Sequence, residues 1–192
     1  MKGLEEKKMK NKKKIIAFFG PSAAGKDTLA HKLYEMCPDT SHWIVSHTTR
    51  PPRDYEIDGK DYHFVTVEQF TQMILNYEMM EATSYRDWFY GTAYDSLSDD
   101  KINIGVFNLE GIKCIIEDNS LDVLPVYVQA SDKTRLQRSL QREENPDCDE
   151  ICRRFMADKK EFQFIEFEHY VLSNEEGDNV ETALKALLDI FD

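Results

Sequence analysis

The residues Gly20-Pro21-Ser22-Ala23-Ala24-Gly25-Lys26-Asp27-Thr28 follow directly on the apolar run Ile15-Ile16-Ala17-Phe18-Phe19. A glycine-bounded loop between a buried strand and a helix start can turn several backbone N–H groups toward one point, and a lysine at its end adds positive charge. That arrangement suits a polyphosphate. Such a loop can wrap the phosphates of ATP, and Lys26 can reach the β- and γ-phosphates. An ordinary strand-to-helix turn could carry an exposed lysine at this spacing, but the strand before and the helix after favour the phosphate loop. The residue after the lysine in such loops is usually Ser or Thr, whose hydroxyl holds Mg²⁺. Here it is Asp27, a hard oxygen ligand able to hold Mg²⁺ directly or through water, with the Thr28 hydroxyl one position later.

A second set of groups suits a phosphate acceptor. Ser46-His47-Thr48-Thr49-Arg50-Pro51-Pro52-Arg53 places two arginines around a stiff proline pair, and Gly59-Lys60-Asp61-Tyr62-His63-Phe64 follows. Guanidinium groups bind phosphate oxygens in pairs, and Tyr62 adds a hydroxyl. A surface loop pairing its arginines with local acids is the other reading of this stretch alone. A third set is basic. Arg135, Arg138 and Arg142 recur on one side of an expected helix, and Arg153-Arg154 follow a turn-rich acidic stretch. Arginines closing on a transferring phosphoryl group would neutralise its spreading charge. A solvated helix pairing these arginines with Glu143, Glu144 and Glu150 competes, most strongly at Arg135 and Arg153.

With these motifs in view, the chain resembles guanylate kinases. The resemblance rests on the Gly-Pro-Ser start of the loop, on Ser46 through Arg53, and on Gly59 through Phe64. It also rests on Glu81 followed by Phe89-Tyr90-Gly91-Thr92. It covers nearly everything from about Lys14 onward and is looser after residue 92. It implies a core built around a P-loop, a GMP-binding domain and a lid. By the resemblance, Arg50, Arg53, Tyr62 and Tyr90 hold the GMP phosphate, Ser46, Glu81 and Thr92 read the base, and Arg138, Arg142 and Arg154 are the lid arginines. The base chemistry agrees. Guanine offers two adjacent N–H donors that one carboxylate accepts together, and an O6 that a hydroxyl can serve. Adenine would leave Glu81 unpaired.

The chain departs from the family at Val106-Phe107-Asn108, where guanylate kinases typically carry acids in a pattern like Asp-x-Asp. Asn108 can still hydrogen-bond a base, and Asp27 is the candidate to replace the charge missing at 106. Gly-Lys-Asp together with Asn108 also looks like ribose 1,5-bisphosphokinase. Two alternatives therefore stay open. One is a kinase for another small phosphate acceptor, such as that sugar phosphate or a deoxynucleotide. The other is a non-catalytic guanylate-kinase-like interaction module. The leading expectation is in-line phosphoryl transfer from ATP to GMP, and to dGMP, with Mg²⁺. No general base is needed, because a phosphate dianion is already a nucleophile.

These groups need elements to carry them. Helix and strand patterns alternate, predicting an α/β fold: a three-layer core with a parallel sheet, a small nucleotide-binding insertion and a helical lid. Strands are expected at 15–19, 43–45, 62–65, 102–107, 123–128 and 170–172. Helices are expected at 25–36, 67–77, from about 109, at 133–141, 149–164 and 180–190. Met79 to Tyr94 reads only as a polar and aromatic stretch. The expected division is a basic, disordered leader at 1–13 and one domain at 14–192. That domain has its core at 14–45, 96–135 and 165–192, GMP-binding residues at 46–95, and a lid at 136–164.

The 192 residues carry a formal charge of −12, yet residues 1–14 hold seven lysines against two glutamates, which leaves the rest near −17. An acidic body argues against nucleic-acid binding. No apolar run is long enough to span a membrane, no secretory signal is expected, and the four cysteines lack C-x-x-C spacing. A monomer or homodimer in the cytoplasm, with ATP and GMP as its partners, is the resulting expectation.

Overall fold

A computed structural model describes residues 12–191 except Arg86 and Glu143. The lysine-rich leader proposed for 1–13 lies mostly outside the described residues. Lys13 itself is already paired as the first residue of a strand.

Two sheets organise the chain. The first is fully parallel, in the order β2-β7-β1-β8-β9. Its strands are β1 (Lys13–Phe19), β2 (Ser41–Trp43), β7 (Ile102–Val106), β8 (Leu121–Gln129) and β9 (Tyr170–Ser173). β1 lies at the centre, pairing Ile15–Phe18 with Asn103–Val106 on one side and Lys13–Phe19 with Leu121–Tyr127 on the other. A central strand of a parallel sheet is covered on both faces and therefore reads as a continuous apolar run. Ile16 and Phe18 face a core with Leu29, Leu33, Val126, Leu172, Leu184 and Leu187. Ile15, Ala17 and Phe19 face the opposite core with Ile44, Ile112, Ile115 and Leu121. Burying each large side chain contributes about 2 kcal/mol.

Helices α1 (Lys26–Met36) and α6 (Val180–Leu188) contribute to the first core, and α3 (Leu109–Glu117) to the second. The second sheet, β4-β3-β6-β5, stands apart in sequence between β2 and β7. It comprises β3 (His47–Thr48), β4 (His63–Phe64), β5 (Met79–Tyr85) and β6 (Trp88–Ala93), with α2 (Val67–Leu75) between β4 and β5. α4 (Asp132–Leu140) and α5 (Cys148–Glu161) pack against each other after β8.

Three expectations need correction. Met79–Tyr94 is largely an antiparallel hairpin, with Glu81 opposite Thr92 and Thr83 opposite Tyr90. Its buried positions include Glu81, Thr83 and Thr92, so the apolar alternation that marks a strand is missing. The second strand is centred on His42 rather than Ile44, because Ser41, His42 and Trp43 pair with Ile102, Asn103 and Ile104. α2 stops at Leu75, and Tyr77 then takes a left-handed φ of 58° that no helix continues through.

Candidate active site

The 20–25 loop leaves the C-terminal end of β1, the central strand, and runs into α1. Gly25 sits at the helix N-cap with φ 96°, and a side chain there would meet Asn174 Nδ2 at 2.2 Å, so only glycine fits. Among the described residues, the other α-helices each have a side-chain cap: Thr66, Asn108, Ser131, Asp147 and Asn179 accept from the first turns of α2, α3, α4, α5 and α6. α1 has none. Its first N–H groups therefore need another acceptor, and a helix N-terminus so placed suits an anion.

A cleft of about 270 Å³ opens at that N-terminus. It is lined by Ser22, Ala23, Gly25, Lys26, Asp27 and Thr28 from the loop and first turn, and by Arg138, Arg142 and Arg154 from beyond β8. The structure thus brings the loop and the three expected arginines together. They are not equivalent. Arg138 already donates to Ala24 O at 3.2 Å and to Asn174 O at 2.9 Å, so it braces the loop. Arg154 pairs with Glu150 at 2.6 Å, and Arg153 pairs with it at 2.7 Å. Arg153 and Arg154 together hold the Glu150 carboxyl well below the usual range. Asp27 and Thr28 are exposed, and Asp27 Oδ2 lies 4.0 Å from Lys26 Nζ. Gly20 and Pro21 open the loop, and Ala24 is fully buried beneath it.

A larger cleft of about 410 Å³ lies on the other side of Lys26 and Asp27. Ser46, Tyr62, Glu81, Thr83, Tyr90 and Asn108 line it. At its floor a hydroxyl chain ends on a carboxylate. Thr92 Oγ1 donates to Glu81 Oε1 at 2.7 Å and lies 3.0 Å from Ser46 Oγ. With the Thr92 hydrogen committed to Glu81, Ser46 is the donor to Thr92, and turning its hydrogen to an incoming carbonyl exchanges that bond for one to the ligand while Thr92–Glu81 stays intact. Burial raises the Glu81 carboxyl to about 7, although the hydrogen bonds from Thr92 oppose the rise.

Asn108 has a narrower role than the sequence suggests. Its Oδ1 caps α3 by accepting from Gly111 N–H at 2.7 Å, and its Nδ2 donates to Thr83 Oγ1 at 2.8 Å. Thr83, which sequence reasoning missed, fixes the orientation of that amide. Val106 lines the cleft where an acid was expected.

In the arginine hook, the alternative reading of pairing with local acids holds for Arg50. Arg50 is buried and grips Glu56 with two bonds of 2.7 and 2.9 Å, and its guanidinium lies 5.6 Å from the ring centre of Tyr62. The bond from Arg50 holds the Glu56 carboxyl below its ordinary range. Arg53 is exposed, and its backbone N–H also donates to Glu56. Tyr62 and Tyr90 meet edge to face at 6.2 Å. Glu56 follows Arg50 by six residues and Arg53 by three, a spacing that could have flagged it.

The geometry therefore presents two clefts meeting at Lys26 and Asp27, one lined by the loop and three arginines and one holding a buried carboxylate beside hydroxyl groups. Comparisons with known proteins agree. A family model described as guanylate kinase matches residues 12–192. A guanylate kinase of Ruegeria sp. (strain TM1040) is 36% identical over 180 residues, covering 91% of this chain and 82% of that protein. A guanylate kinase of Helicobacter hepaticus is 32% identical over 180 residues, covering 92% and 88%. The crystal structure of guanylate kinase from Anaplasma phagocytophilum superposes with a TM-score of 0.67 at 24% identity, covering 94% of this chain and 85% of that one. From the family match and these identities, this chain belongs to the guanylate kinase family.

Proposed function

We propose that the protein is an ATP-dependent guanylate kinase, converting GMP, and dGMP, to the diphosphate. The observation that carries this reading is the placement of Ser46 and Glu81 in the same cleft as Lys26, with Thr92 bonded to both. The base-reading groups and the phosphate-loop lysine thus face one cavity. On this reading residues 20–28 are a P-loop holding the phosphates of ATP in the smaller cleft, with Arg142 and Arg154 on its far wall. GMP occupies the larger cleft. Glu81 accepts from the two guanine N–H donors, Ser46 donates to O6, and Asn108 lines the edge. Arg50, Arg53, Tyr62 and Tyr90 take the GMP phosphate. Its oxygen attacks the γ-phosphorus in line, and catalysis consists of positioning and charge neutralisation.

The donor groups present fit Mg²⁺. Asp27 offers a carboxylate where the two clefts meet, Thr28 a hydroxyl beside it, and among the described residues no cluster of three or more His, Cys, Asp or Glu competes. Mg²⁺ takes one or two carboxylates plus substrate phosphates, which matches so sparse a set. When bound, the ion neutralises phosphate charge. The matching division of the chain is a core at 14–45, 96–135 and 165–192, a GMP-binding unit at 46–95, and a lid at 136–164. No described helix is long and apolar enough to cross a membrane, in keeping with a cytoplasmic enzyme of purine nucleotide metabolism. The test is ADP formation from Mg·ATP with GMP, comparing the wild type with Lys26→Met. Turnover lost by about a thousandfold in the variant, with GMP affinity kept, supports the reading. Equal turnover in both contradicts it.

A further inference from the structure

The phosphate-facing loop is gripped from behind by residues far along the chain. Ser22 N–H donates to Asp158 Oδ2 at 2.8 Å. Arg135 Nε donates to the Ser22 carbonyl at 3.0 Å, and Arg135 Nη2 donates to the same Asp158 oxygen at 2.5 Å. One residue of the loop is thus held at both backbone polar groups by an ion pair whose side chains are only 6% and 11% exposed. The pair is itself supported: Arg135 lies 4.8 Å from the Phe155 ring centre and 3.7 Å from Asp132. A buried ion pair needs further hydrogen bonds to offset desolvation, and here the Ser22 backbone supplies them.

The consequence follows from peptide geometry. In a trans peptide the carbonyl and the next N–H point in opposite directions. Arg135 fixes the Ser22 carbonyl on the outer side, so the Ala23 N–H faces the other way. Ala24 is treated alike, since its carbonyl accepts from Asn174 Nδ2 at 2.7 Å, which turns the Gly25 N–H inward. Ala23 and Gly25 both line the smaller cleft.

We infer that Arg135 and Asp158 are a positioning pair for the phosphoryl donor, which orients the loop N–H groups through the carbonyl behind them. Arg135 lies on α4 and Asp158 on α5, the helix that also carries Arg154. Docking of these helices and shaping of the loop are therefore one event. The inference rests on reading the smaller cleft as the ATP-phosphate site.

The test separates donor from acceptor effects. Steady-state KM values for ATP and GMP are measured for the wild type, Asp158→Ala and Asp158→Asn. A single Asp158 oxygen accepts both bonds, so the amide oxygen of asparagine can keep them. Asp158 also lines the larger cleft, so Asp158→Ala is expected to raise the KM for ATP by about tenfold or more and the KM for GMP by clearly less. Asp158→Asn is expected to restore most of the loss. Equal rises in both KM values, or an asparagine variant no better than alanine, would overturn the inference. Hydrogen exchange of the Ser22 amide in the nucleotide-free wild type decides the matter without variants or turnover. Protection is expected, and exchange at the rate of an open loop contradicts the clamp. Absence of GMP turnover in the wild type would count instead against the proposed function.

Discussion

Burial raises the carboxyl of Glu81 to about 7 from an ordinary 4.5, and this one residue links pH, stability and binding. As pH rises from 4.5 to 7, the unfolded chain gives up this proton before the folded one does. Ionisation then favours unfolding, and the contribution of Glu81 to stability falls by on the order of 3 kcal/mol, levelling off above pH 7. Glu81→Gln should flatten that part of the pH–stability curve, as denaturant unfolding between pH 5 and 8 would show. A guanine presenting two N–H donors favours the ionised carboxylate. GMP binding should therefore release protons near pH 7 and weaken as the solution is acidified. Calorimetry in two buffers of different ionisation enthalpy measures the release directly, and no difference between buffers would remove Glu81 from the base contact. The same Glu81→Gln variant should lose about a hundredfold in kcat/KM for GMP, since the amide turns a donor toward a donor.

At the scale of elements, the N-terminus of α3 and the β5–β6 hairpin build the base end of the cleft together. Gly111, in the first turn of α3, leaves room for the carboxylate: a Cβ there would lie 3.1 Å from Glu81 Oε2 and 3.2 Å from Asn108 Oδ1. Gly111→Ala should push both side chains and raise the KM for GMP by about tenfold, with the KM for ATP unchanged in the same assays. This hairpin was also the part least legible in the sequence. Its buried positions include Glu81 and Thr83, which line the cleft, and Thr92, which bonds Glu81, so polar residues break the pattern by which strands are recognised. β1 was legible for the opposite reason, since both of its faces are core. Ser46, Glu81 and Thr92, proposed to read the base, could be named because the motifs around them resemble those of guanylate kinases, with residue types that suit guanine. Among the supporting residues, Glu56 could have been flagged by its spacing from Arg50 and Arg53, whereas Thr83, Asp158 and Asn174 could not, since each acts through a contact across long sequence separation.

At the scale of the molecule, the parallel sheet presents the loop at the end of its central strand, and the second sheet stands over the same cleft from residues 47–93. The α/β alternation gave away the first sheet. The second interrupts that alternation, and the interruption together with the motifs it carries marked it as an insertion. Against an overall charge of −12, Arg138, Arg142 and Arg154 line the smaller cleft and on the proposed reading attract phosphate locally, whereas Arg50 is buried against Glu56. On the proposed reading, acceptor choice rests on Ser46 and Glu81, which share one cleft with Lys26, and on Thr92, which is bonded to both. It is tested most directly by ADP formation from Mg·ATP with GMP, dGMP, AMP, UMP, CMP and ribose 1,5-bisphosphate as acceptors. Turnover confined to GMP and dGMP is the predicted result. Turnover with another acceptor and none with GMP would contradict the assignment of Ser46, Glu81 and Thr92 to guanine.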